Sequence, residues 1–278
     1  MRHRDPYAGK IGEARRRLAE SLGCIKLPGK KTEVEMTDRN LDAEFAANSE
    51  REYQYGFDIR ARRFLLSRWD GHISKEGKSL EMGSFDGSMT DLLLEKVDIL
   101  DVVEGSAELA GRLRASLGAR VTVFHDWFEE FVPVTQYDQI FLVHGLEHVE
   151  NPISVLERAA SWLKPNGKLF VAVPNANALS RQLAVKMGLV ESPQAVTPGE
   201  RLHGHLRTYN LDTLLSDFVD AKLTVIESGG VILKALSNSQ FDAAFAAGIV
   251  TDEYLQACDD LSKTWPDFSA SVFAVATL

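Results

Sequence analysis

Glu81, Gly83, Gly87 and Glu104 are the residues of this chain whose types and spacing first suggest chemistry. Ser79-Leu-Glu-Met82 is a short apolar lead-in carrying an acid. Gly83-Ser-Phe-Asp-Gly87 is a glycine turn, and a helical pattern from Met89 to Leu94 follows. A strand that runs into a glycine turn and then a helix N-terminus brings backbone N–H groups close to a ligand. Twenty-three positions beyond Glu81, the apolar run Val97 to Val103 ends in Glu104. A carboxylate there is placed to accept hydrogen bonds from ribose hydroxyls. Together they describe a nucleoside site, against the plainer reading of a strand-turn-helix that holds no ligand.

The turn is not a dinucleotide fingerprint. Phe85 stands where G-x-G-x-x-G needs its second glycine, so a pyrophosphate could not approach the backbone closely. Glu81, two residues before the first glycine, would repel an anion and suit a cation. The pattern Glu81-x-Gly83-x-Phe85-x-Gly87 resembles motif I of the class I S-adenosylmethionine-dependent methyltransferases, whose cofactor carries a sulfonium and an ammonium. The resemblance implies cofactor contacts at Glu81, Gly83, Ser84, Phe85, Gly87 and Glu104.

The elements that must position these residues alternate in type. After Glu104 come a helical pattern (Ala107 to Leu117) and an apolar run, Val121 to Phe124, that leads into His125-Asp126-Trp127. Asp126 and Trp127 would suit an adenine, the acid taking the exocyclic amine and the ring stacking. Tyr137 to Val143 is a fourth strand, followed by His144-Gly145-Leu-Glu-His148 and a helix over Ile153 to Leu163. Lys164-Pro-Asn-Gly167 reads as a turn before the fifth strand, Lys168 to Val173. Such alternation predicts an α/β fold with a parallel sheet covered on both faces, its ligand site along the carboxyl ends of the strands.

The resemblance then narrows. Leu146-Glu-His-Val-Glu-Asn-Pro152 is similar to the "LEHV-x-(D/N)-P" segment of the small-molecule methyltransferases related to the ubiquinone-pathway O-methyltransferases. Leu163-Lys-Pro-Asn-Gly-Lys-Leu169 resembles their "LKPGG" turn. Val173-Pro-Asn-Ala-Asn177 and His205-Leu-Arg-Thr-Tyr-Asn-Leu-Asp-Thr-Leu214 resemble their "PN…H-x-R-x-(Y/F)" part. The likeness covers roughly residues 50 to 278. It implies a Rossmann-like sheet of seven strands, mostly parallel with the last antiparallel, helices on both faces and an amino-terminal helical extension. It further implies S-adenosylmethionine as cofactor and S-adenosylhomocysteine as product. Phe85 is the clear departure.

Composition agrees. A 278-residue chain, 45% hydrophobic and 26% charged, fits one elaborated α/β domain with a sizeable core. No apolar stretch of 18 or more residues occurs, and the start is Arg-rich instead of apolar, so neither a membrane span nor a signal peptide is expected. Cys24 and Cys258 form no redox or metal motif, which predicts a cytoplasmic protein. The net charge of −9 disfavours a broad nucleic-acid surface. Residues 1 to 37 carry nine Lys/Arg and five Asp/Glu, a balance of +4 that leaves −13 elsewhere. That arm is expected to be a solvated helix (Ile11 to Leu22) and a connector, or to touch an acidic partner. The expected division is an arm with helices over 1–50 and the methyltransferase domain over 51–278, with a cap insert near 178–210 and a helical insert near 240–264. A further helical region between Leu41 and Trp69 places Tyr53 and Tyr55 either in the core or against the substrate.

Methyl transfer needs a nucleophile aligned in a site protected from water. A hydroxyl must also lose its proton, and a histidine suits that task near neutral pH. His148, just past the fourth strand, is the candidate base; its alternative role is to bond a neighbouring loop. His144 and Gly145 are expected to line the cofactor's methionine part. Asn175, His203, His205, Arg207 and Tyr209 are assigned to the substrate, with the last four in the cluster Glu200 to Tyr209. His203, His205 and Arg207 alternate as on one face of an extended segment. Arg207 would hold a substrate carboxylate or phosphate, or pin the loop. No Cys or carboxylate at ligand spacing accompanies the histidines, so no metal is expected. Asn210 is a good N-cap for the helix that follows.

Leu223 to Ile226 and Val231 to Leu236 are strand-like around Glu227-Ser-Gly-Gly230, a helical insert spans Gln240 to Lys263, and Ser269 to Leu278 is the final strand. The expected function is methylation of a hydroxyl oxygen of a small metabolite, a sugar or natural-product intermediate. The alternatives are an amine N-methyltransferase and a non-catalytic, cofactor-binding scaffold. There is no (D/N)-P-P-(Y/F) motif and no Pro-Cys nucleophile. A homodimer is compatible with the Ala-rich segment Ala243 to Ala247 and with the arm.

Overall fold

The computed structural model describes residues 40–42 and 56–278. The reading of the amino-terminal arm, and of Tyr53 and Tyr55, falls outside them. Helix α1 (Gly56–Trp69) leads into β1 (Lys78–Met82), α2 (Ser88–Leu94), β2 (Ile99–Glu104), α3 (Ala107–Leu117), β3 (Val121–His125) and β4 (Tyr137–Val143). Then follow α4 (Pro152–Ser161), β5 (Leu163–Pro174), α5 (Leu179–Lys186), α6 (Pro198–Leu202), α7 (Leu211–Asp220), β6 (Thr224–Val231), α8 (Asn238–Ala246), α9 (Asp252–Thr264) and β7 (Ser271–Thr277).

The strands form one sheet in the order β3-β2-β1-β4-β5-β7-β6. β1 to β5 are mutually parallel, and β7 runs antiparallel to both β5 and β6. The central strands are near-continuous apolar runs because both of their faces are covered. On one face Trp69 of α1 packs on Phe170, with ring centroids 5.3 Å apart, and Phe170 stacks on Phe141 at 4.7 Å. On the other, Leu80, Leu142 and Val171 meet Val155 and Leu156 of α4 and Phe218 of α7. The strand order reverses between β1 and β4, and the crevice at their carboxyl ends is where such sheets hold ligands.

Local chemistry fixes the helix starts that frame this crevice. The Ser106 side chain accepts from the Leu109 N–H and caps α3. Asn151 accepts from Ser154 N–H ahead of Pro152 at the first helical turn of α4.

Several boundaries differ from the sequence reading. The helix expected through Leu163 ends at Ser161, and Leu163 already pairs with Tyr137. Lys164-Pro-Asn-Gly167 therefore lies inside β5, where Asn166 keeps the turn-like positive φ of 64°. Glu227-Ser-Gly-Gly230 is not a break: β6 runs unbroken from Thr224 to Val231, because both glycines face the close-packed ladder to β7. At Gly229 an added Cβ would meet the Phe273 ring at 3.1 Å. The helical insert is two helices, separated where Gly248 takes a φ of 67°.

Candidate active site

Three residues of the glycine turn have left-handed backbone: Gly83 (φ 77°), Phe85 (φ 47°) and Gly87 (φ 78°). Gly83 is required twice, since a Cβ there would also approach Phe128 to 3.1 Å. Phe85 adopts the same conformation at a steric cost. The turn is held from β2. Glu104 Oε2 accepts from Ser84 N–H at 3.0 Å, Ser84 hydroxyl at 3.1 Å and Phe85 N–H at 3.3 Å. Its Oε1 accepts from Ser106 N–H at 2.9 Å. Carboxylate oxygens have further lone pairs, so Glu104 can still accept from a ribose. Next to it, at the end of β3, Asp126 folds back to take the Trp127 N–H at 2.9 Å. Asp42 reaches over this corner to accept from the Ser106 hydroxyl and the Glu108 N–H. The hydrogen bond to Ser106 is the main reason its carboxyl titrates below the usual range.

Deeper in the crevice Glu81 is buried. One carboxylate oxygen accepts from the Thr90 hydroxyl at 2.6 Å, while Oε1 has no hydrogen-bond partner among the described residues. Burial pushes its carboxyl up to about 8, against the opposing Thr90 bond and Arg62 charge. Arg62, from α1, is tied to the turn by hydrogen bonds to Asp86 and Ser88. His144 also has a positive φ, 52°, and its Nε2 lies 3.1 Å from the Ser271 hydroxyl. Burial first, then the charges of Arg62 and His205, hold it down to about 3, so it is a neutral imidazole. A Cβ on Gly145 would meet the end of the Leu142 side chain at 2.6 Å, so a larger residue here would have to displace it.

Past β4, the turn Leu146–His148 and the segment after α6 come together beside Asn175 and Tyr209, where Glu147 and His205 line one small pocket. The His148 and His205 rings meet edge-to-face, with centroids 4.7 Å apart. Glu147 is buried, its two oxygens have no hydrogen-bond partner from another of the described residues, and its Oε1 is 3.8 Å from His148 Nε2. Burial pushes it up to about 8, and burial likewise holds His205 down to about 4. The ligand-capable atoms of Glu147, His148 and His205 lie within 4.8 Å of one another, a spacing that one ion or one multi-donor group could bridge. Arg207 donates to the carbonyls of Val149 and Glu150. Asn175 donates to Asp267 and Ser269 carbonyls, both at 2.8 Å, and accepts from Asn177 N–H. The Tyr209 hydroxyl donates to Asp217 at 2.7 Å. Burial chiefly, and this bond next, raise it well above the usual phenol range.

This geometry fits a cofactor with a ribose and a cation: Glu104 for the first, and the orphaned Glu81 oxygen for the second. A family profile for the methyltransferase domain matches residues 47–228. The chain belongs to the methyltransferase domain family. Its sheet order and antiparallel β7 are those of the class I, S-adenosylmethionine-dependent fold.

Proteins similar to this chain include the ubiquinone biosynthesis O-methyltransferase of Marinobacter nauticus. That protein is 30% identical over 162 residues, or 53% of this chain and 67% of the relative. The enzyme of the same name from Vibrio vulnificus strain YJ016 is 28% identical over 127 residues, 44% of this chain. The match spans about half of that relative's length, 53%. Among solved structures, N-methyltransferase NodS from Bradyrhizobium japonicum WM9, in complex with S-adenosylhomocysteine, has a TM-score of 0.54 at 15% identity. The alignment covers 85% of this chain and 95% of NodS. That likeness concerns the fold alone.

The fold brings Glu81, Gly83, Ser84, Phe85, Gly87 and Glu104 into one corner, where Glu104 bonds the turn directly. His148 and His205 come into contact, but not by the expected alternation. His203 closes the C-terminus of α6, so His203, His205 and Arg207 do not share one extended segment. Sequence reasoning missed Arg62 and Glu147. Arg62 sits in a helix rich in arginines, and only its reach to Asp86 singles it out. Glu147 lies within a family-like run, and in the fold it supplies the carboxylate that the sequence does not show at ligand spacing beside the histidines.

Proposed function

We propose that this methyltransferase-fold chain transfers the methyl group of S-adenosylmethionine to a hydroxyl oxygen of a small metabolite, a sugar or a natural-product intermediate. The observation that supports the reading is that His148 and His205 meet just past the carboxyl end of β4, the strand that pairs with β1 and its glycine turn. When bound, the cofactor supplies an already activated, electrophilic methyl carbon.

The chain's own residues then bind, orient and move one proton. Glu104 accepts from the ribose hydroxyls, and Asp126 and Trp127 take the adenine. Glu81 faces the cationic part of the methionine moiety, and Arg62 its carboxylate. His144, neutral, cannot repel the sulfonium. An imidazole nitrogen of His148 receives the acceptor's hydroxyl proton as the oxygen becomes the nucleophile. Arg207, Asn175 and Tyr209 hold the wall around the acceptor by the bonds described above.

Incubation with S-adenosylmethionine and a panel of hydroxylated acceptors, read as S-adenosylhomocysteine released, tests this. His148→Ala is expected to lower kcat by about a hundredfold or more and leave cofactor affinity intact. Equal turnover by the variant would remove His148 as the base. A scaffold would bind cofactor and turn over nothing.

A further inference from the structure

Glu147 is the buried titratable group that the proposed transfer leaves unused. Its side chain is only 2% exposed, and neither oxygen has a hydrogen-bond partner among the described residues. A buried carboxyl with no donor from another of the described residues is costly to ionise, and a cationic ligand would supply the complement. The complement is not a nearby arginine. Arg207 is spent on the Val149 and Glu150 carbonyls. Arg181 is spent on Glu200 and on the Pro193 and Ala195 carbonyls. His205 is neutral at physiological pH, so one ring nitrogen is an acceptor.

The Glu147 carboxyl, protonated while the site is empty, ionises against a cation, and with the neutral His205 it offers acceptors, within 4.8 Å of one another, to a group with several donors and one positive charge. A carboxylate or phosphate would leave Glu147 without a counter-charge, and the two arginines lining this pocket, Arg207 and Arg181, are already committed. We propose that Glu147 and His205 seat a primary ammonium of the methyl acceptor, and that the acceptor is an amino sugar or amino alcohol. The ammonium is the recognition handle, and His148, whose ring meets His205, faces the hydroxyl on the neighbouring carbon. This inference rests on the O-methyl transfer reading above. It narrows that reading's substrate class.

Protein saturated with S-adenosylhomocysteine would be titrated with glucosamine and with glucose, followed by saturation-transfer NMR, as wild type, Glu147→Gln and His205→Gln. Glucosamine is expected to bind about tenfold more tightly than glucose, and Glu147→Gln to abolish that preference. Unchanged S-adenosylhomocysteine affinity in each variant would certify the fold. Equal affinity for the two sugars, no binding of either, or a preference that survives Glu147→Gln would overturn the seat. A parallel arm uses zinc or magnesium chloride: an ion that binds the wild type at micromolar concentration, excludes glucosamine and is lost in Glu147→Gln would reassign the seat to a metal and also overturn it. If S-adenosylhomocysteine itself failed to bind, the cofactor reading beneath the proposal would fall with it, a result distinct from a normal isotherm without amine preference.

Discussion

The Glu104 carboxylate accepts the backbone N–H of Ser84, 20 positions earlier in the chain, at 3.0 Å. One oxygen thereby fastens the end of β2 to the turn after β1, and the other takes Ser106 N–H at the start of α3. A single side chain thus shapes the glycine turn and, in the proposed site, would also take the ribose. Glu104→Ala is expected to leave two buried N–H groups unsatisfied, destabilise the chain by about 2 kcal/mol or more, and weaken cofactor binding at least tenfold. Urea unfolding and calorimetry on the same preparation would separate the two effects. Unchanged stability would show that the turn holds itself.

Phe85 carries a φ of 47° in a position that suits glycine. Phe85→Gly is expected to raise stability by up to about 1 kcal/mol, offset by lost ring contacts, and to keep cofactor affinity within a few-fold. Gly83→Ala, with its Cβ 3.1 Å from Phe128, should do the reverse. A tenfold loss of affinity in Phe85→Gly would instead make the ring a cofactor contact.

Arg62 and Glu81 flank the deep end of the crevice. Arg62→Gln is expected to weaken S-adenosylmethionine and S-adenosylhomocysteine alike, by about tenfold, since both carry the same carboxylate. Glu81→Gln should penalise S-adenosylmethionine more than S-adenosylhomocysteine, because only the former has a sulfonium. Equal effects of Glu81→Gln on the two ligands would move Glu81 away from the sulfur.

Stability should depend on pH in a defined way. Glu81 and Glu147 keep their protons to about 8 in the folded chain, against 4.5 when unfolded, so they favour folding at low pH and that contribution is lost as pH rises towards 8. His144 and His205 fall from 6.5 to about 3 and about 4, so their contribution is lost as pH drops below 6.5. Between 4.5 and 6.5 the two pairs offset each other, which predicts a plateau of Tm there, a decline from 6.5 to 8 and another below 4.5. Glu147→Gln should halve the alkaline slope. A Tm that climbs from pH 6.5 to 8 would contradict this assignment.

The sheet was legible because its central strands are apolar runs ending in punctuation: Glu81 before a glycine turn, Glu104 before a capping Ser106, His144 after Val143. Helix α3 was read to its ends, since an N-cap and Gly118 bracket it. Boundaries failed where pairing overrides local preference. Asn166-Gly167 looks like a turn but is carried inside β5, and Gly229-Gly230 looks like a break but pairs with Phe273 and Val272. In the site, residues that converge through sequence order (Glu81, Gly83, Glu104) were visible. Contacts made only by packing, such as Arg62 on Asp86 or His205 on His148, have no one-dimensional signal.

Calorimetric titration of the purified protein with S-adenosylmethionine and S-adenosylhomocysteine, with Glu104→Ala alongside, tests the central claim most directly. The expected result is one site per chain with a micromolar Kd for at least one ligand, weakened tenfold or more in the variant. No binding of either ligand by a folded wild type, with or without hydroxylated acceptors present, would contradict the account.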